Sequence, residues 1–202
     1  MIVVGYADGS RKQEHQNAIL LRDRLLHRYL NADETVVYRT EKGRPCLRLG
    51  DADISVTHSF GGVLVALVFD ETHYGVPTEE LPDERRFPIT APIIGADMEI
   101  LTGKQAERCL NVARRFFFPD EQERLAGIAD PDAVVAEFTR MWTQKESFLK
   151  AAGVGIVGLG KINTDAFPSE VSFIGYPLQM GEKDFYVSLC TGSCTELFTT
   201  ND

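Results

Sequence analysis

Long apolar runs are missing from this sequence. None approaches the ~20 consecutive apolar residues that a membrane-spanning helix requires, so no membrane partner is expected. The opening stretch "MIVVGYADGSRK" has a short apolar run, but no basic residues lead into it and no small-residue cleavage site follows. It reads as a first strand rather than a signal peptide, in a cytoplasmic protein. Basic residues are in short supply: 21 Lys and Arg stand against 30 Asp and Glu, for a net charge of -9. That balance excludes binding to nucleic acid over a broad surface, while leaving room for a local basic pocket. Cysteine is scarce as well. Cys46, Cys109, Cys190 and Cys194 show neither a C-x-x-C nor paired zinc spacing. Cys190 and Cys194 are at most half of a site, and buried reduced thiols are the expected state.

What is present is ordinary globular material. With 44% hydrophobic and 25% charged residues over 202 positions, the chain can bury a core as one domain or two small halves. "IVVGYA" (2–7) predicts a strand and 11–30 a helix, with Ile19, Leu20, Leu26 and Leu30 near helical spacing. "ETVVYRT", "CLRL" and "DISVTHS" predict short strands, and "GVLVALVFD" (62–70) a stronger one. Residues 71–92 carry four prolines and no period, and read as a long exposed connection. The pattern then restarts: a strand at 92–100, helices at 104–117 and 132–152, and strands in "EVSFIGYPL" and "DFYVSLCTG". Strands cluster in hairpin-like runs instead of alternating singly with helices, which predicts an α+β fold.

Two glycine-rich runs imitate phosphate loops. "GVGIVG" (153–158) fits G-x-G-x-x-G, and "GIVGLGKI" (155–162) nearly fits a P-loop. Both follow a helix, whereas either motif needs a strand before the glycines and a helix after them. Helix termination and a turn are the expected roles.

The acidic strand carries more information. In "PIIGADMEI" a period of two puts Asp97 and Glu99 on one face of an otherwise apolar strand. Two such carboxylates either end the strand in water or share a cation, and a hard divalent ion such as Mg²⁺ suits oxygen ligands. The helix at 132–152 supplies Trp142, Glu146 and Lys150 at successive four-residue steps, with Lys145 inside the apolar arc formed by Val134, Phe138, Met141, Phe148, Leu149 and Ala152. Lys145 reads either as a snorkelling lysine or as a residue facing a ligand. Carboxylates flanked by lysines suit metal-assisted phosphoryl transfer, because both cations neutralise charge on phosphate oxygens. His58, with hydroxyls on both sides in "SVTHSFGG", is placed in a turn, as a structural group or as a contact to the ligand.

Five stretches stand in order along the chain: "GRPCL" (43–47), "ISVTHSFGG" (54–62), "IIGADMEI" (93–100), "ARRFFFPDEQERL" (113–125) and "WTQKESFLKAAGVGI" (142–156). Together they resemble the 4′-phosphopantetheinyl transferase superfamily, its Sfp-type branch in particular. The resemblance implies a pseudo-dimer of two α+β halves, 1–91 and 92–202, each a small mainly antiparallel sheet packed with helices, with coenzyme A in the cleft between them. It implies Mg²⁺-dependent transfer of the 4′-phosphopantetheine arm from coenzyme A to a serine of an apo carrier protein, acyl or peptidyl, releasing 3′,5′-ADP. Such carriers serve fatty-acid, polyketide or nonribosomal-peptide synthesis. The alternative on the same fold is a catalytically silent protein that binds coenzyme A or the carrier.

By the same resemblance Asp97, Glu99 and Glu146 would hold the metal, with Glu146 also drawing the serine proton. Lys150, Lys145, His58 and Thr57 would meet phosphates, and Arg44 would line the nucleotide pocket. Thr57 stands where many members have serine, and Arg44 where lysine is commoner. Relatives with a longer N-terminal part use a basic stretch there on the 3′-phosphate. Arg11, Lys12 and His15 read either as substitutes in this chain or as a solvated helix start. Arg114 and Arg115 beside Phe116 and Phe117 read as a docking patch for an acidic carrier, or as partly core. With two halves on one chain, a monomer suffices.

Overall fold

The computed structural model describes residues 1–88 and 92–192. Ile2–Ala7 forms strand β1. A helical run follows, with a 3₁₀ turn at Arg11–Gln13, helix α1 at Glu14–Leu25 and a π-helical turn at Leu26–Leu30. Asn31, with φ of 48°, ends it in the left-handed region where asparagine is tolerated. Val37–Arg39 (β2) and Pro45–Leu47 (β3) pair as a small hairpin, and Ala52–Ser59 (β4) and Gly62–Phe69 (β5) as a larger one.

The connection at 71–92 differs from its reading as wholly irregular. Glu84–Phe87 forms a strand, β6, that pairs antiparallel with β1. Charge hides it in the sequence: "ERRF" has no apolar period, yet Glu84 is buried, accepting a hydrogen bond from Tyr29 at 2.6 Å with Arg24 and Arg28 nearby. The first sheet is therefore antiparallel, in the order β4-β5-β1-β6.

The second half opens with β7, Ile94–Ile100. Helices α2 (Ala106–Phe116), α3 (Pro119–Ala126) and α4 (Pro131–Ala152) follow. A 3₁₀ stretch, Ile156–Lys161, stands in place of a phosphate loop. Val171–Met180 (β8) and Lys183–Gly192 (β9) complete an antiparallel sheet in the order β7-β9-β8. Both sheets thus contain a hairpin whose second strand also pairs with an earlier strand, β5 with β1 and β9 with β7.

Why β5 is apolar at every position follows from its place. Val63, Val65, Leu67 and Phe69 pack with Leu21, Leu25, Leu26 and Tyr29 on one face. Leu64, Ala66 and Val68 point the other way, joining Met98, Ile100, Phe185, Val187 and Leu189 of the second half. A strand buried on both faces reads as a continuous apolar run. Each fully buried Leu or Val contributes about 1.5–3 kcal/mol, and residues of both sheets share this core. Among the described residues no helix is long and apolar enough to cross a membrane.

Candidate active site at the seam between the two sheets

Strands β4 and β7 are the edges of their respective sheets, and they meet. No backbone ladder joins them. Alternate side chains of β4 close the gap instead, since a period of two sends Asp53, Ser55, Thr57 and Ser59 to one face. Asp53 Oδ2 accepts from Ile94 N–H at 3.0 Å, and Ser55 Oγ from Ala96 N–H at 2.9 Å. Further along, Thr57 Oγ1 donates to Asp97 Oδ1 at 3.1 Å, and Ser59 Oγ lies 3.5 Å from Glu99 Oε2. The first pair satisfies buried backbone; the second holds carboxylates. The same seam therefore builds structure at one end and a polar site at the other.

Helix α4 brings the remaining groups. Asp130 caps it, accepting from Asp132 N–H at 3.2 Å, Pro131 occupies its first turn and Gly153 ends it with φ of 69°. Gly95 explains how close the helix comes. A Cβ at that position would run into the Ser147 carbonyl oxygen and the Ala151 backbone nitrogen. With no side chain between them, α4 rests directly on β7 and points Glu146 and Lys150 at the seam.

Lys150 Nζ donates to Asp97 Oδ1 at 2.6 Å and to Thr57 Oγ1 at 3.1 Å. Asp97 is buried, and its Oδ2 has no hydrogen-bond partner among the described residues. Burial raises the Glu99 carboxyl above its usual range, with Asp97 adding to the effect and Lys104 opposing it. Burial also pushes the Glu146 carboxyl up to about 7; Asp97 and Glu99 reinforce the shift while Lys150 opposes it. Three carboxyl groups that feel one another electrostatically, beside an ammonium, hold more negative charge than their surroundings balance.

Residues 93–188 match the family model of the 4′-phosphopantetheinyl transferase superfamily. That stretch, just under half of the chain, is similar to the superfamily. Two curated relatives are the 4′-phosphopantetheinyl transferase HetI of Nostoc sp. (strain PCC 7120), 39% identical over 77 residues, and the 4′-phosphopantetheinyl transferase Sfp of Bacillus subtilis (strain 168), 28% identical over 140 residues. Those stretches cover 38% and 68% of this chain, and 31% and 50% of the relatives' own lengths. The chain thus spans at most about half the length of these relatives. The region matched to the phosphopantetheinyl transferase family holds Asp97, Glu99, Lys145, Glu146 and Lys150, whereas Arg44, Thr57 and His58 lie before it.

As they stand, no three His, Cys, Asp or Glu side chains among the described residues are gathered into a metal-binding cluster. Two ammonium groups hold the carboxylates: Lys150 on Asp97, and Lys104 on Glu99 at 3.4 Å. The donor chemistry nevertheless suits a hard cation. The oxygens are carboxylate, one is buried and unpartnered, and the charge excess is the kind a divalent ion relieves.

Other predicted residues distribute unevenly. Lys145 is a correction. Instead of facing a ligand cleft it is fully buried, with Nζ donating to Glu121 Oε2 and to the Ile162 carbonyl, both at 2.6 Å, and lying over the Phe117 ring at 4.3 Å. The apolar arc seals it in, and an internal carboxylate replaces the phosphate expected of it.

Arg44 does line a groove, but its guanidinium is committed. It forks onto Asp53 at 2.5 and 3.1 Å and donates through Nε to the Lys150 carbonyl at 2.8 Å, clamping the two halves. His58 lies within β4, not in the turn, and its ring Nδ1 is 3.0 Å from Glu14 Oε2. It lines a 210 Å³ pocket with His15, Arg22 and Arg39. Arg39, Pro45 and Val56 also line a neighbouring 240 Å³ groove, together with Lys150 and Gly155. His15 thus lines the pocket beside that groove, whereas Arg11 stacks on Phe60 at 3.9 Å. Phe117 of the expected docking patch is buried, which leaves Arg114 and Arg115 exposed beside a half-buried Phe116. Cys109 and Cys190 are buried thiols and Cys46 is half-buried; Cys194 lies outside the described residues.

Sequence reasoning missed Lys104 and Glu121. Lys104 stands five residues past Glu99 on a turn, and Glu121 lies in a helix that only the proline at its first position announces.

Proposed function

We propose that the protein transfers the 4′-phosphopantetheine arm of coenzyme A to a serine of an apo carrier protein. The observation that carries this reading is the Lys150–Asp97–Thr57 triad beside Glu99 and Glu146, at the mouth of a groove lined by basic side chains. Asp97, Glu99 and Glu146 would hold Mg²⁺, which when bound neutralises charge on the diphosphate oxygens.

The chain's own residues do the rest. Lys150 passes from Asp97 to the diphosphate and offers charge-assisted hydrogen bonds to oxygens that gain charge as the bridge breaks. Glu146, with its affinity for a proton raised to neutral pH, takes the proton of the serine hydroxyl, directly or through water. The serine oxygen bonds to the phosphorus that carries pantetheine, the bond from that phosphorus to the bridging oxygen breaks, and 3′,5′-ADP departs. Arg39, Lys42 and His58 along the groove suit the nucleotide and its phosphates. Within this reading the halves 1–91 and 92–202 are the two walls of one coenzyme A site in a monomer. Exposed Arg114 and Arg115 supply local positive charge for an acidic carrier.

Chromatographic detection of 3′,5′-ADP tests the proposal. Release should require coenzyme A, Mg²⁺ and an apo acyl or peptidyl carrier together. Thermal stabilisation by coenzyme A without any release would favour a silent binding protein, and stabilisation by ATP in preference to coenzyme A would point to another nucleotide substrate.

A further inference from the structure

Glu121 is a fully buried carboxylate with every approach filled. Oε2 accepts from Lys145 Nζ at 2.6 Å and from Phe118 N–H at 2.8 Å. Oε1 accepts from the backbone N–H and the hydroxyl of Thr164, each at 2.8 Å. Lys145 spends its second donor on the Ile162 carbonyl. One ion pair thereby ties three pieces of chain: the start of α3, the middle of α4, and the segment that leaves α4 and returns at 162–164.

Two of those pieces carry the site. Lys145 is the residue before Glu146, and Lys150 lies little more than one turn further along the same helix. The returning segment begins at Gly153 and Gly155, which line the groove with Lys150. A buried ion pair is poor evidence for net stability, since desolvation of both charges offsets their attraction. Its directional demands, four donors around one carboxylate, are better suited to fixing position.

We propose that Glu121 and Lys145 are positioning residues: their ion pair sets the rotation of α4 that presents Glu146 and docks the 155–164 segment as the groove wall. Neither residue touches the substrate. The inference rests on the transferase reading for its kinetic part and on geometry alone for its structural part.

The test compares Glu121→Gln, Lys145→Met, the double variant Glu121→Gln/Lys145→Met, and a stability control, Val3→Ala, in the β1 core two strands away from β4. Removing one partner leaves a buried charge, so a single variant can fold poorly; the double removes both charges and keeps the protein testable. Rates are read per folded molecule, well below each thermal midpoint. The positioning role predicts that the double variant loses at least tenfold in kcat with KM for coenzyme A changed less than threefold. It also predicts faster amide hydrogen exchange confined to 149–164, while Val3→Ala lowers the midpoint with kcat retained. A double variant with wild-type kcat and unchanged local exchange overturns the proposal. If the wild-type protein transfers nothing, the transferase reading fails by itself and exchange decides: acceleration confined to 149–164 supports positioning, and uniform acceleration or none overturns it.

Discussion

Lys150 Nζ lies 2.6 Å from Asp97 Oδ1, joining the last turn of α4 to the acidic strand β7 across the seam. The contact is a charge-assisted hydrogen bond at a site where Asp97 is almost wholly excluded from water. An ammonium so placed can hold the carboxylate when no ligand is near and turn to phosphate oxygens when one arrives. Substitution of Lys150 by Met should lower kcat by about 10²–10³-fold, the usual cost of losing one preorganised donor to a developing oxyanion. The thermal midpoint should shift much less, and steady-state kinetics beside a melting curve checks both.

The Glu146 carboxyl, pushed up to about 7, predicts a pH dependence for metal-free protein. That lies above the ordinary glutamate value of 4.5. Its contribution to stability is therefore complete below about pH 4.5 and is lost as pH rises through about 7. In EDTA the thermal midpoint should fall over that interval, as an ionised Glu146 joins Asp97 and Glu99. Glu146→Gln should flatten the fall, and melting curves at half-unit pH steps would show it.

Close approach at Gly95 predicts a large effect from a small change. Gly95→Ala puts a methyl group against the backbone of α4 at Ser147 and Ala151. Overpacking of this kind costs about 1–3 kcal/mol. Because Ser147 follows Glu146, the displaced helix should also lose activity by more than the loss of folded protein accounts for. Urea denaturation with activity per folded molecule separates the two effects.

The seam predicts that hydroxyls far from the carboxylates are structural. Ser55→Ala leaves the Ala96 N–H buried without its acceptor, at a cost of about 1–3 kcal/mol, with kcat nearly unchanged. Ser59→Ala, beside Glu99, should do the reverse: little change in stability, and a higher Mg²⁺ concentration for half-maximal rate. Titrating Mg²⁺ for both variants decides the assignment.

Where side chains obey a period, the sequence displayed the fold. β1, β5, β7, β8, β9, α1, α2 and α4 appear close to their expected spans because each shows one clear periodicity or a run of β-branched residues. β6 did not, since its burial depends on arginines and Tyr29 meeting Glu84, a tertiary arrangement that no local pattern reports. The acidic strand and the Glu146–Lys150 spacing were legible because chemistry forces unusual residues onto an apolar element. Lys145 shows the limit of that reasoning. An unexpected charge on an apolar face signals a partner, but the sequence does not say whether the partner is a ligand or, as with Glu121, another side chain.

Intact-mass spectrometry of an apo carrier protein incubated with this protein, coenzyme A and Mg²⁺ bears most directly on the central claim. The account predicts a gain of one phosphopantetheine on the carrier, abolished by EDTA and by Glu146→Gln. An unmodified acyl carrier and an unmodified peptidyl carrier, under conditions where coenzyme A demonstrably binds, would contradict it.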